Sequence, residues 1–137
     1  MKNKILRIID ANLNRSLEGI RVVEDLFRFV YNDKERYLLL RRVRHKLTKI
    51  FKKYYIELLA HRESKTDVGR GAEESKYEDI DEVLSANLHR VMESLRVLEE
   101  MSKLVCIENV KNIKDLRYTV YEIERVITEK NKKEKNK

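Results

Sequence analysis

The chain has no proline, no tryptophan and no glutamine, and only three glycines and one cysteine among its 137 residues. Sheets need many turns, and turns draw on glycine and proline. Their scarcity points to a few long helices joined by few connections. The lone Cys106 excludes an internal disulfide and fits a reducing compartment. It stands at an apolar helix end, as core filler rather than as a nucleophile. No apolar run approaches the roughly 20 residues of a membrane span. Arg7 and Asp10 interrupt the early apolar stretch, so no secretory leader is read there and a cytoplasmic protein is expected. Phosphate loops of the Gly-x-x-x-x-Gly-Lys-[Ser/Thr] type and Gly-x-Gly-x-x-Gly turns are missing. None of His45, His61 and His89 completes the Glu-x-x-His of a di-iron bundle, and one cysteine with three scattered histidines excludes an ordinary zinc site.

Charge is abundant: 40% of residues are Asp, Glu, Lys or Arg, with a net +7. Lys130, Lys132, Lys133, Lys135 and Lys137 supply much of that excess, so the body is less basic than the whole. A mildly basic body suits nucleic acid or a small phosphorylated ligand. One helix face carries Arg41, Arg42, Lys46, Lys49, Lys52 and Lys53; it reads as a solvated face, and nucleic acid as an unlikely partner. The length fits one domain with a real core. The expected division is a single helical domain over residues 1–129 and a disordered basic tail over 130–137.

Apolar residues recur at steps of three and four in four stretches, the mark of amphipathic helices. The first runs from about Lys4 to Tyr31 and points Ile5, Ile9, Leu13, Leu17, Ile20, Val23, Phe27 and Val30 inward. Asn32-Asp33 forms a turn, with Asp33 placed to cap the second helix, which runs to about Ala60. Residues 62–77 lose the period and hold two of the three glycines. A third helix spans about Asp79 to Val105 and a fourth about Val110 to Glu129.

The first and third helices share a repeat. Ala11 to Leu26 and Ala86 to Met101 match at an offset of 75, with eight of 16 positions identical. Apolar positions drift among Leu, Ile, Val and Met, as a core allows. Polar positions persist: Asn12/Asn87, Arg15/Arg90, Glu18/Glu93, Arg21/Arg96 and Glu24/Glu99. A weaker echo, Val43-Arg44 against Leu116-Arg117 at offset 73, extends the unit to a helical hairpin. Two such hairpins predict an all-α antiparallel bundle of about four long helices, with approximate twofold symmetry and equivalent polar residues facing across it.

Helical angles place Asn12 at one edge of the apolar stripe, Arg15 just beyond, and Glu24 inside its other half. A half-buried carboxylate needs a cation, and Arg44 and Arg117 are the natural partners of Glu24 and Glu99. Those pairs serve either as structural braces or as part of a ligand site. The Asn12/Asn87 and Arg15/Arg90 quartet favours a ligand, since Asn disfavours helix and arginine's fork suits phosphate. Glu18/Arg21 and Glu93/Arg96 fit surface pairs three residues apart. The loop Arg62 to Gly71 is a second candidate: glycines such as Gly69 admit an anion, and Asp67 is a potential Mg²⁺ ligand. Tyr54, Tyr55, Tyr118 and Tyr121 read as core or rim rather than as a stacking platform, and His89 as a surface residue.

Three ordered motifs carry a resemblance. They are Asp10-Ala-Asn-Leu-Asn-Arg15 with Glu18-Gly-x-Arg21-Val-x-Glu24-Asp25; the loop from Arg62 ending Asp67-Val-Gly69; and Ala86-Asn-Leu-x-Arg90, Glu93-x-Leu-Arg96-x-Leu-Glu99-Glu100 and Leu116-Arg-Tyr118. Together they resemble the all-helical, monofunctional hydroxymethylpyrimidine phosphate kinases of thiamin biosynthesis, often fused ahead of thiamin-phosphate synthase. The resemblance implies ATP- and Mg²⁺-dependent phosphorylation of 4-amino-5-hydroxymethyl-2-methylpyrimidine phosphate to the diphosphate. Since no synthase domain follows, a free-standing kinase is the expectation, with a synthase as a possible partner. On that reading Arg15 and Arg90, with Arg21, Arg44, Arg62, Arg96 and Arg117, supply charge for phosphates. Asn12 or Asn87 hydrogen-bonds the aminopyrimidine, Gly69 shapes the loop, and Glu18, Glu93 or Asp67 carries Mg²⁺. The alternative is a non-catalytic module that binds a phosphorylated metabolite or docks onto a synthase. The bundle is thin for enclosing both substrates, so a homodimer is also considered.

Overall fold

The computed structural model describes residues 1–136, apart from the side chain of Lys135. No strand occurs among the described residues. Helix α1 (Lys2–Asp25) passes into one π turn, Leu26–Val30. That wider turn shifts the phase of the helix, so Val30, predicted inward, is exposed while Phe27 stays buried. Asn32 then adopts φ 50°, a left-handed conformation that asparagine tolerates. Asp33 caps α2 (Lys34–Phe51), its carboxylate accepting from the Arg36 N–H at 3.1 Å. The long second helix expected from the sequence is interrupted by a 3-10 turn at Lys52–Tyr54 and resumes as α3 (Tyr55–Ala60). Leu58 is buried, seven residues on from Phe51, while Tyr55 and Ile56 are exposed.

Asp79 caps α4 (Ile80–Val105), accepting from the Glu82 N–H at 2.9 Å. A 3-10 turn at Ile107–Asn109 leads into α5 (Val110–Lys135). The last helix thus takes in most of the segment expected as a disordered tail; its Lys and Glu residues favour helix and no Gly or Pro stops it. Lys137 lies outside the described residues. One core cluster draws on every helix, including Ile20, Leu40, Leu58, Leu95 and Ile113. No helix is long and apolar enough to cross a membrane among the described residues.

The inner helices α1 and α4 form the largest interface, with α2 packed on α1, α5 on α4, and α2 touching α5. The centre of the α1–α4 crossing is small and tight. Ser16 Oγ and Ser94 Oγ share a hydrogen bond of 2.6 Å, and a Cβ on Gly19 would stand 2.9 Å from Val91 Cγ2. Shifting Ser16 forward by the repeat offset of 75 gives Val91, and shifting Ser94 back gives Gly19. The two contacts are therefore one contact seen twice, related by the twofold. Across it, a serine pair on one side answers a glycine–valine pair on the other. The residues meeting here are not the repeated Asn, Arg and Glu, which the sequence had facing one another. Each repeated Asn bonds within its own helix instead.

Val91 is buried and β-branched, so its methyl has little freedom to retreat. Overpacking of this kind costs about 1–3 kcal/mol, offset by about 1 kcal/mol of helix propensity. Gly19→Ala should therefore lose between about 0 and 2 kcal/mol in chemical denaturation. Combined with Val91→Ala it should lose less than the sum of the single losses. Strict additivity would show that the two side chains do not compete for this space.

Candidate functional site

Two interior ion pairs, one in each hairpin, tie the paired helices together. Arg44 donates from Nε to Glu24 at 2.6 Å and from Nη2 at 3.2 Å. Arg117 donates to Glu99 in the same two-pronged way, at 2.5 and 3.4 Å. Both carboxylates are buried, so each requires its cation. In both arginines the carboxylate bond raises the guanidinium pKa against the opposing effect of burial. These are the partners the sequence proposed, and both carboxylates are bonded by their arginines. The pairs differ in surroundings. Arg117 also donates to the Tyr121 hydroxyl at 3.2 Å and lies 5.0 and 5.3 Å from the Tyr118 and Tyr121 ring centres. Arg44 stands opposite His45 and Thr48 at the equivalent positions.

The Asn-x-x-Arg motifs also repeat in geometry. Asn12 donates to the Ile8 carbonyl at 2.9 Å and accepts from Arg15 Nη1 at 3.1 Å. Asn87 donates to the Val83 carbonyl at 2.8 Å and accepts from Arg90 at 3.2 Å. Both asparagines are buried, while both arginines reach solvent. Each asparagine thus anchors one prong of an exposed arginine and leaves the other nitrogens to an anion. Each amide thus makes one donor and one acceptor bond within its own helix.

The crossover loop returns over the first motif. At its root Arg62 grips Asp10 with two bonds of 2.8 Å, and Arg7 donates to the Glu63 carbonyl at 2.9 Å. The Asp10 bond raises the Arg62 guanidinium pKa, with burial opposing. Arg62, expected on a ligand, is therefore a loop anchor, and Asp10 is the partner that sequence reasoning missed. Nothing in the helical period distinguishes it, because it simply falls on the buried face. Beyond this root the loop forms a cleft of about 470 Å³ with α1, to which Lys4, Arg7, Asn12, Arg15, Thr66 and Asp67 contribute. The Gly69 N–H, a candidate anion donor by sequence, instead donates to the Asp67 carboxylate at 2.9 Å. Asp67 keeps its other oxygen free of that bond, in a cleft that Lys4, Arg7 and Arg15 also line.

Several predicted residues lie apart from this cleft. Arg21 and Arg96 pair forward, with Asp25 at 3.7 Å and Glu100 at 3.5 Å, rather than back to Glu18 and Glu93. The forward spacing of four brings opposite charges together on these faces. Glu93 and Arg96 line a second cleft, on the α4–α5 side, with His89, Met92, Tyr121 and Glu124. Arg90 borders neither cleft. Glu18, Glu93 and Asp67 do not converge: no group of three His, Cys, Asp or Glu side chains fit to hold a metal occurs among the described residues.

The geometry defines a class first: an all-helical bundle of two twofold-related hairpins, with a cationic cleft beneath its crossover loop. A family model then matches residues 7–126, and the chain belongs to the ThiD2 family. Curated relatives named thiamine-phosphate synthase are 41% identical over 88% of this chain in Nostoc punctiforme and in Synechocystis, and 36% identical over 85% in Rhodopirellula baltica. The match covers 34%, 35% and 32% of those proteins respectively, so the chain spans about a third of the length of the relatives it matches. No solved structure matches it. The thiamin connection carried by the motifs is met in the names of these relatives; those names are of a synthase and do not mention the kinase step.

The braces make a stability prediction. Removing one partner of a buried pair strands the other charge, at about 3–5 kcal/mol. Arg117 has a side chain 7% exposed, against 23% for Arg44. Glu99→Gln should therefore destabilise the protein more than Glu24→Gln in parallel urea melts. The reverse order would mean that burial of the arginine does not set the penalty.

Proposed function

We propose that this chain transfers the terminal phosphoryl group of ATP onto 4-amino-5-hydroxymethyl-2-methylpyrimidine phosphate, with Mg²⁺, to give the diphosphate for thiamin synthesis. The observation that carries this reading is the cleft under the crossover loop. There an asparagine-anchored arginine, Arg15, stands with Arg7 and Lys4 beside Asp67. Family membership and the names of the relatives supply the pathway.

In this reaction an oxygen of the acceptor phosphate forms a bond to the γ-phosphorus, the bond to the β-phosphate bridging oxygen breaks, and ADP leaves. The acceptor is already anionic, so little deprotonation is required. What the protein must supply is alignment and neutralisation of negative charge. Arg15, Arg7 and Lys4 supply cations, and Arg15 is held in one orientation by Asn12. Mg²⁺ binds by one or two carboxylates together with phosphate oxygens and water. A single carboxylate in a cationic cleft is such a donor set, and Asp67 is the residue that would hold the metal there. A metal held there would supply positive charge to offset that of the phosphates.

The test is direct. Purified protein with ATP, Mg²⁺ and the pyrimidine monophosphate should form ADP and the diphosphate in equal amounts. Absence of the diphosphate rejects the reading, and calorimetric binding of the monophosphate without turnover would favour a non-catalytic module. Arg15→Ala should lower kcat/KM by at least ~10-fold, since a charged hydrogen bond contributes about 1.5–3 kcal/mol. Arg90→Ala, outside the cleft, should lower it less. Equal effects would move the charge that matters away from the loop.

A further inference from the structure

The second cleft, between α4 and α5, has about 420 Å³ and is lined by His89, Met92, Glu93, Arg96, Tyr121 and Glu124. Internal symmetry makes its origin readable. The equivalent positions of the first hairpin are Asn14, Leu17, Glu18, Arg21, Thr48 and Phe51. Only the glutamate and the arginine are common to both. The braces and the Asn–Arg pairs were kept in both copies, while four of these six lining positions diverged. Phe51 is buried in the core, whereas its counterpart Glu124 borders open space.

The residues that replaced the first set form a coherent group. Tyr121 is a flat wall whose hydroxyl is held by Arg117 and whose ring that guanidinium faces, so the buried Glu99 brace fixes the plane of the wall. Met92 lies buried at the side as a polarizable floor. Glu124 Oε2 is shielded from solvent and has no hydrogen bond, with His89 Nε2 at an ion-pair distance of 3.0 Å. A shielded carboxylate oxygen with only the exposed His89 beside it can take a further donor. Arg96, exposed at the rim, is a cation for whatever anionic group a ligand carries.

We propose that this cleft seats an aminated heteroaromatic ring, stacked on Tyr121 with its exocyclic amine donating to Glu124. Such a ring comes from the aminopyrimidine or from the adenine of ATP. The inference rests on the phosphoryl-transfer reading and assigns the ring to the second hairpin, apart from the phosphate cleft of the first.

Titration calorimetry on the full chain tests it, with two probes: the pyrimidine monophosphate, and a non-hydrolysable ATP analogue with Mg²⁺. Stacking on an aromatic side chain is worth about 1–3 kcal/mol, so Tyr121→Leu should weaken one probe by about 10-fold and leave the other within about 2-fold. The weakened probe identifies the source of the ring. Tyr121→Phe, which keeps the stacking face, should restore most of the affinity, and Glu124→Gln should weaken the same probe as Tyr121→Leu. His89→Asn, which restores the first-copy residue at an exposed position, checks that the fold tolerates change here, and circular dichroism melts cover all variants. Both probes unchanged in Tyr121→Leu and Glu124→Gln, or both weakened alike in folded protein, overturns the proposal while wild-type turnover leaves the phosphoryl-transfer reading intact. Wild-type protein that binds neither probe overturns both.

Discussion

The close approach of α1 and α4 is the constraint on which the remaining geometry depends. With a hydroxyl pair on one side and a glycine facing a valine on the other, the helices meet with no room for another methyl. The bundle then has an inner pair and an outer pair, and each hairpin must face its own outer helix in the same register. That is why Glu24 meets Arg44 and Glu99 meets Arg117 with matching two-pronged geometry. A buried ion pair adds little net stability, but a slipped register would leave a carboxylate stranded in an apolar core. The braces therefore penalise wrong registers more than they strengthen the right one. The Ser16–Ser94 and Gly19–Val91 contacts resolve a difference between the copies. Glycine and serine at equivalent positions answer the packing of one crossing and imply no division of ligand-binding labour.

Twofold symmetry inside and asymmetry outside is the second theme. The first hairpin alone receives the crossover loop, because a chain of two hairpins has only one connection between them. Asp10 and Arg62 pin that connection, and the second-copy counterpart of Asp10 is Ser85, which has no loop to hold. Among the described residues, only the second hairpin's brace arginine bonds a tyrosine hydroxyl and faces two tyrosine rings. A duplicated frame thus holds two unlike faces at fixed spacing, which a reaction joining two unlike molecules can use.

The fold was largely legible because it rests on two signals that survive without an alignment: the 3.6-residue period and the internal repeat. Both brace pairs could be named from the burial of a carboxylate within an apolar stripe. Helix ends were less legible. The π turn after Asp25 and the 3-10 turn after Phe51 are small changes of pitch that no residue announces, yet the first of them leaves Val30 exposed. The polar residues of the candidate site could be listed from the sequence, but their arrangement could not. Nothing in the period shows that Arg62 is tied to Asp10. Nor does it show that the Asn12 and Asn87 amides bond to carbonyls one turn back. Polar residues repeated in both copies were a mixture of braces, anchors and surface pairs, and only contacts sort them.

The lack of a glycine-rich phosphate loop follows from the same architecture. Such loops present backbone N–H groups at a helix N-terminus, where strand and helix meet. This chain has no strand among its described residues, and its inner helices cross at their middles, where backbone N–H groups are already spent on the helix. Charge can therefore be offered only by side chains projecting from helix flanks, and long side chains must be held to be useful. Asn12 does this for Arg15 at the edge of the core, one prong fixed and the rest free. The loop adds a carboxylate from above while its own root stays tied to α1. The tip of the loop is exposed, and Val68 there stands outside the core cluster, so only the root of the loop is tied into the bundle. That separation leaves the loop's chemistry free to be set by what it covers.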